Sequence, residues 1–268
     1  MEHSQGETQF HQRERILAIE YRNPEAYPTV MKAIQLSQQY HNSVRQKINL
    51  PPIESFSSSV RLIDHKSFRN LQEILGTSPE TSGVAIRELG LAFVAAKYHE
   101  AGRMHGEAIT LAYKTAHELS HLASAGLQNT ILDEGFTDVF AHSIVGDPFI
   151  KQYCSEYQIE WEQVRSNRQL YIEKVSPVRQ GIRMKESEII YAEKDQSIAG
   201  IAYPGSFRLV TDMFKRVNPR ERGNMLQIYY KGEQEWHLHE LIDKYYGKQV
   251  ADLVRTDIQN LEEIIRRI

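Results

Sequence analysis

The sequence predicts an α+β fold, with a small twisted β-sheet ahead of a mainly helical half. Three observations carry this. Short apolar runs between Ser59 and Tyr113 are bounded by turn residues, as strands are. From Lys114 onward the apolar residues recur mostly at helical spacing. The chain has 268 residues, 41% of them hydrophobic and 25% charged, an ordinary balance for a globular protein and enough to close a sizeable core.

Residues 8–47 read as helical, with apolar positions at Phe10, Ile16, Leu17 and Ile19, then at Val30, Met31, Ile34 and Leu36. Pro24 and Pro28 split this stretch into a short helix and a longer one. The Pro/Ser-rich link Leu50 to Ser59 is the best domain boundary. It divides the chain into an N-terminal helical extension, residues 1–50, and a main domain, residues 51–268, whose sheet and first central helix occupy about 58–126 and whose helical remainder is 127–268. Ser59–Ile63 alternates as a strand does, and Lys66–Leu75 reads as a helix ending at Gly76. Thr77–Gly83 is a turn-rich loop. Leu89–Tyr98 and Glu107–Tyr113 read as two strands joined by the loop His99–Gly106, with Ile109–Ala112 a candidate edge strand able to bind an extended peptide. A helix over Thr115–Ala125 ends at Gly126, and another over Ile131–Val145 is closed by Gly146 and Pro148. At the C-terminus Val250, Leu253, Val254, Ile258, Leu261, Ile264, Ile265 and Ile268 share one helical stripe, packed on the body or on a partner.

Composition excludes several classes of function. The net charge of −3 gives no global basic field to recruit nucleic acid. The short basic cluster Lys215, Arg216, Arg220 and Arg222 reads as a solvated face. The single cysteine, Cys154, allows no intrachain disulfide and reads as a small apolar filler. Met1–Glu20 holds no apolar run fit for a signal peptide, and no run reaches the roughly 18 apolar residues of a membrane span. The expectation is a cytoplasmic protein that neither enters a membrane nor binds nucleic acid. The oligomeric state is not legible.

The most informative segment is His117-Glu118-Leu119-Ser120-His121. Histidines four apart share one face of a helix and can bind one metal ion. H-E-x-x-H is the signature of zinc hydrolases, in which the intervening glutamate handles a proton. Leu119 and Leu122 supply an apolar face while the histidines point elsewhere. Glu134 and Asp138 are also four apart, in Leu132-Asp133-Glu134-Gly135-Phe136-Thr137-Asp138. Like charges at that spacing cost a helix roughly 0.2–0.5 kcal/mol, a sign that a nearby cation reverses. The bland alternative is an acidic solvent face. His237 and His239, two apart, diverge on a helix; His142 packs or lines a cleft; His105 has the option of a place beside the substrate.

HELSH followed by D-E-G-F-T-D resembles the thermolysin-like gluzincins, whose third ligand lies in N-E-x-x-S-D on the next helix. The connection is shorter here, with twelve residues between His121 and Glu134, and in this the chain is similar to the smaller peptidase MA-like relatives with a W-L-x-E-G segment. The resemblance spans roughly residues 58–250 and is specific only from His117 to Asp138. It implies a zincin-like metallopeptidase fold with extra N-terminal helices. It implies one zinc ion per chain on His117, His121 and Glu134, with Glu118 as general base and Asp138 orienting a ligand histidine. Ala202-Tyr203-Pro204-Gly205 resembles the Y-x-x-G stretch of aminopeptidase-type gluzincins, with tyrosine and glycine one residue closer, and implies Tyr203 as donor to the oxyanion. The implied activity is hydrolysis of a peptide or protein substrate. The G-x-M-E-N segment of the aminopeptidases is missing from the sequence, which favours an endopeptidase. Two alternatives stay open: a narrow regulatory protease acting on one protein partner, and a non-catalytic module stapled by zinc.

Overall fold

The computed structural model describes residues 11–77, 82–96, 105–158 and 198–256. It is mixed α+β, mostly helical, with a small three-stranded sheet. The elements are helix α1 (residues 11–17), α2 (Pro28–Lys47), β1 (Val60–Ile63), α3 (His65–Leu75), β2 (Gly83–Ile86), β3 (Leu91–Ala95), α4 (His105–Ala123), α5 (Thr130–Ile144), α6 (Asp147–Tyr157), α7 (Ile198–Arg216), α8 (Pro219–Lys231), α9 (Trp236–Tyr246) and α10 (Lys248–Thr256). The strand order is β1-β3-β2, with β1 parallel and β2 antiparallel to β3.

Strands of four and five residues are too short to be stable alone, and both faces of this sheet are covered by helices. Side-chain alternation divides β3 between two cores. Ala92 and Val94 join Val60 and Leu62 in the main core, which also holds Val30 and Ile34 of α2, Leu119 of α4, and Leu132, Phe136 and Phe140 of α5. Leu91, Phe93 and Ala95 turn the other way, onto Ile16 of α1 and onto Phe68 and Leu71 of α3. The outer edge of β1 is bridged by the N-terminal segment, where Arg22 N–H donates to Leu62 O at 2.7 Å. Among the described residues β2 ends the sheet on the other side.

Several expectations are met closely. β1 lies within Ser59–Ile63, and α3 ends at Gly76. α5 spans Thr130–Ile144, its first turn capped by Asn129 Oδ1, which accepts from Leu132 N–H at 3.1 Å. Three expectations fail. Glu107–Tyr113 is the first half of α4 and not a strand. Ile109, Ala112, Tyr113 and Ala116 are buried together, which is the i, i+3, i+4, i+7 stripe of a helix. Among the described residues the edge strand next to this helix is β2, which begins at Gly83, the last residue of the expected loop. Pro148 closes nothing; it sits in the first turn of α6, where a missing N–H is harmless.

α7 lies along α5. A Cβ on Gly135 would come within 2.5 Å of Ser206 O, so the residue after Glu134 has to be small for the two helices to meet. The capping box of Asn218 and Glu221 starts α8. Val250, Ala251 and Val254 of α10 are buried with Leu238 and Ile242 of α9; the rest of the C-terminal stripe, from Ile258, lies outside the described residues. Cys154 is buried beside Ile144 and Phe149. Among the described residues no helix is long and apolar enough to cross a membrane.

Candidate metal centre

The second half of α4 puts His117 and His121 one turn apart, with ring centroids 5.0 Å from each other. α5 packs across it and brings Glu134 to both rings. Glu134 Oε2 lies 3.2 Å from His117 Nε2 and 3.5 Å from His121 Nε2. The oxygen is buried, yet neither contact has the geometry of a hydrogen bond. One donor atom from each of the three residues lies within 4.8 Å of the others. Two imidazole nitrogens and a carboxylate oxygen, facing one another at ion-pair distance, make a donor set that could hold a metal ion and that suits zinc. Among the described residues this is the one His/Cys/Asp/Glu group so arranged.

Each histidine has its own carboxylate behind it. His117 Nδ1 is 3.1 Å from Asp138 Oδ1, which also accepts from Tyr113 O–H at 2.7 Å. His121 Nδ1 is 3.1 Å from Asp133 Oδ2, and Asp133 Oδ1 accepts from Leu127 N–H at 3.0 Å. If both Nε2 atoms face a metal, both Nδ1 atoms carry the proton and donate it to these carboxylates. Asp138 was expected in this place; Asp133 was missed. The signal was present: Asp133, Glu134, Thr137 and Asp138 form one polar face on a helix otherwise buried through Ile131, Leu132, Phe136 and Phe140.

The last carbonyls of α4 lack partners within the helix, and side chains from three elements take them. Tyr229 O–H donates to Ser120 O at 2.8 Å, Arg87 Nε–H to His121 O at 2.9 Å and Arg45 Nη1–H to Ala123 O at 3.3 Å. Behind them His41 is fully buried, 2.7 Å from Tyr230 Oη and 3.1 Å from Ser120 Oγ. Burial first, and the charge of Arg45 second, push its pKa down to about 3, so it is a neutral tie between α2, α4 and α8.

The electrostatics follow from burial and crowding. Burial opposes charge on His121, but the charge of Glu134 and the contact with Asp133 outweigh it and raise its pKa to about 9. His117 is raised well above its ordinary value in the same way, against burial, by Asp138 and Glu134. Burial would raise Glu134, yet His121 and His117 hold it far below the carboxylate range. Glu118 is raised, mainly by burial. It is 6% exposed and points at β2, where a Cβ on Gly83 would lie 2.3 Å from its Oε1.

Other expected participants stand apart. Tyr203 falls within α7, and its side chain lies outside what the structure describes. The same holds for the side chain of His105, at the start of α4, while His99 is outside the described residues. His142 packs edge-on against Phe207, at 5.6 Å between centroids. His237 is half-buried and 2.9 Å from Glu240. Lys215, Arg216, Arg220 and Arg222 are exposed, as a solvated face requires. No protein-family model, curated protein or solved structure matches the chain.

Proposed function

We propose that the protein is a zinc-dependent metallopeptidase of gluzincin type with a zincin-like fold. One observation carries the proposal. His117, His121 and Glu134 converge in a site that also holds Glu118, a buried carboxylate that the metal does not require. His117, His121 and Glu134 would hold one zinc ion, which when bound supplies Lewis acidity and lowers the pKa of water toward neutrality.

The chain's own residues do the rest. Asp138 and Asp133 fix the tautomers of the two ligand histidines, keeping each Nε2 lone pair available. Glu118 takes a proton from the attacking water and passes it to the leaving amine. Among the described residues β2 is the sheet edge beside Glu118, and it would offer main-chain groups to an extended peptide running past the carboxylate. Tyr203 is the proposed donor to the oxyanion. A zinc that only stapled the fold would leave the buried Glu118 with no task to offset the cost of its desolvation.

The test is a peptide library read by mass spectrometry. Zinc-loaded protein is expected to cut internal bonds, chelated protein to cut none, and restored zinc to restore cleavage. A zinc-loaded chain that leaves every peptide intact overturns the proposal in favour of a structural ion.

A further inference from the structure

We infer that Arg87 is a positioning residue, a clamp that holds the second ligand histidine in register with the third ligand; this rests on the metal reading above. Only twelve residues connect His121 to Glu134, and they must leave α4, turn and enter α5. Arg87 reaches this turn from outside, from the short helical turn Arg87–Leu89 between β2 and β3.

Its guanidinium grips both ends of the connection. Nε–H donates to the His121 carbonyl at 2.9 Å and Nη2–H to Asp133 Oδ2 at 2.9 Å, with Ser124 Oγ at 3.4 Å. Asp133 Oδ2 is the same oxygen that faces His121 Nδ1. Arg87 thus ties the main chain of the second histidine to the carboxylate that orients its ring, one residue before Glu134. Nη2 also lies 3.2 Å from His121 Nδ1; with the ring's proton on Nδ1 this is a neighbour contact, not a hydrogen bond. The turn is built around the clamp. Gly126 has φ +86, and a Cβ there would come within 2.8 Å of Arg87 Cζ.

The two histidines therefore differ in support. Asp138 behind His117 is steadied by the phenol of Tyr113, one turn earlier on the same helix. Asp133 behind His121 is steadied by a cation from another layer. A lysine at position 87 keeps the charge but not the planar fork that spans two acceptors.

The test uses the full chain with Arg87→Lys, Arg87→Gln, Asp133→Asn and the double variant Arg87→Gln/Asp133→Asn. Folding is checked by circular dichroism, zinc affinity by competition with a chelator, and ligand geometry by the visible spectrum of the cobalt(II) form. Both Arg87 variants are expected to lose roughly 10–100-fold in zinc affinity and to shift the cobalt bands. The double variant is expected to lose no more than the worse of its two parents, because both changes break one linkage. A wild type that binds both ions, with Arg87→Gln equal to it in affinity and spectrum, overturns the inference alone, and so do fully additive losses in the double variant. A wild type that takes up neither ion overturns the metal reading and this inference with it.

Discussion

Gly83→Ala is a local probe of Glu118. Gly83 does not have a positive φ, so alanine fits its backbone without strain. The obstacle is the carboxylate. The new Cβ would lie 2.3 Å from Glu118 Oε1, 2.9 Å from its Cδ and 3.0 Å from its Cγ, where ordinary contact begins at 3.4 Å. Restoring that contact moves Oε1 by about 1 Å, and a misplacement of that size in a catalytic group costs on the order of 100-fold in rate. That is about 2.7 kcal/mol of transition-state stabilisation. His117, His121 and Glu134 are not in the clash, so zinc affinity is expected to stay within about twofold of wild type, well short of the roughly 10–100-fold typical of losing a supporting residue. The assays are kcat/KM on a cleaved peptide and a zinc competition titration. A thermal-melt cycle with Glu118→Ala adds a readout independent of activity: Gly83→Ala should lower Tm in the wild type and much less where the carboxylate is gone. Undiminished kcat/KM in Gly83→Ala, or an equal Tm loss in both backgrounds, would refute the placement of Glu118 against β2.

Three further outcomes follow from the same geometry. Glu134→Ala should weaken zinc binding far more than Asp138→Ala or Asp133→Ala, each of which should cost roughly 10–100-fold; wild-type affinity in Glu134→Ala, by chelator competition, would require another third ligand. In chelated protein the raised histidines stabilise the fold fully below their unfolded pKa of about 6.5, a contribution lost as pH rises through the value of about 9 for His121. Tm of the chelated protein should therefore fall between those pH values, and zinc-loaded protein, with both rings already deprotonated, should not share that fall; parallel curves would contradict it. A chain starting at Ser55 loses α2, whose Val30 and Ile34 are core residues worth about 1.5–3 kcal/mol each against a typical total of about 5–15 kcal/mol. It should fail to show a cooperative melt, and a truncated chain as stable as the full one would make residues 1–50 a separate module.

The parts of the site that were legible in the sequence are those set by one helix at a time. His117 and His121, and Glu134 and Asp138, meet because 3.6 residues make a turn, and ligand chemistry marks them. What escaped was set between elements. Arg87 is 34 residues from His121 and reaches it only because the β2–β3 turn lies against the end of α4. Asp133 looks like its acidic neighbours until α5 is rotated into place. The apolar run before HELSH was too short to separate strand from helix by period alone, and only its burial alongside Ala116 decided for helix. β2 is four residues, Gly-Val-Ala-Ile, with no polar alternation to announce a strand. Its role as the edge beside Glu118 follows from pairing with β3, a tertiary fact.

The most direct measurement takes zinc content and peptide cleavage from the same preparations of wild type and Glu118→Gln. Glu118 is buried beside the three proposed ligands and is not among them, and glutamine has the same shape, so the substitution removes only the proposed base. The expected result is one zinc per chain in both proteins, matching melting curves, and cleavage lower by several orders of magnitude in Glu118→Gln, where typical general-base contributions alone are about 10²–10⁴-fold. Equal cleavage by the two proteins, or zinc lost together with the carboxylate, would contradict a catalytic metal centre built on His117, His121 and Glu134 with Glu118 as its base.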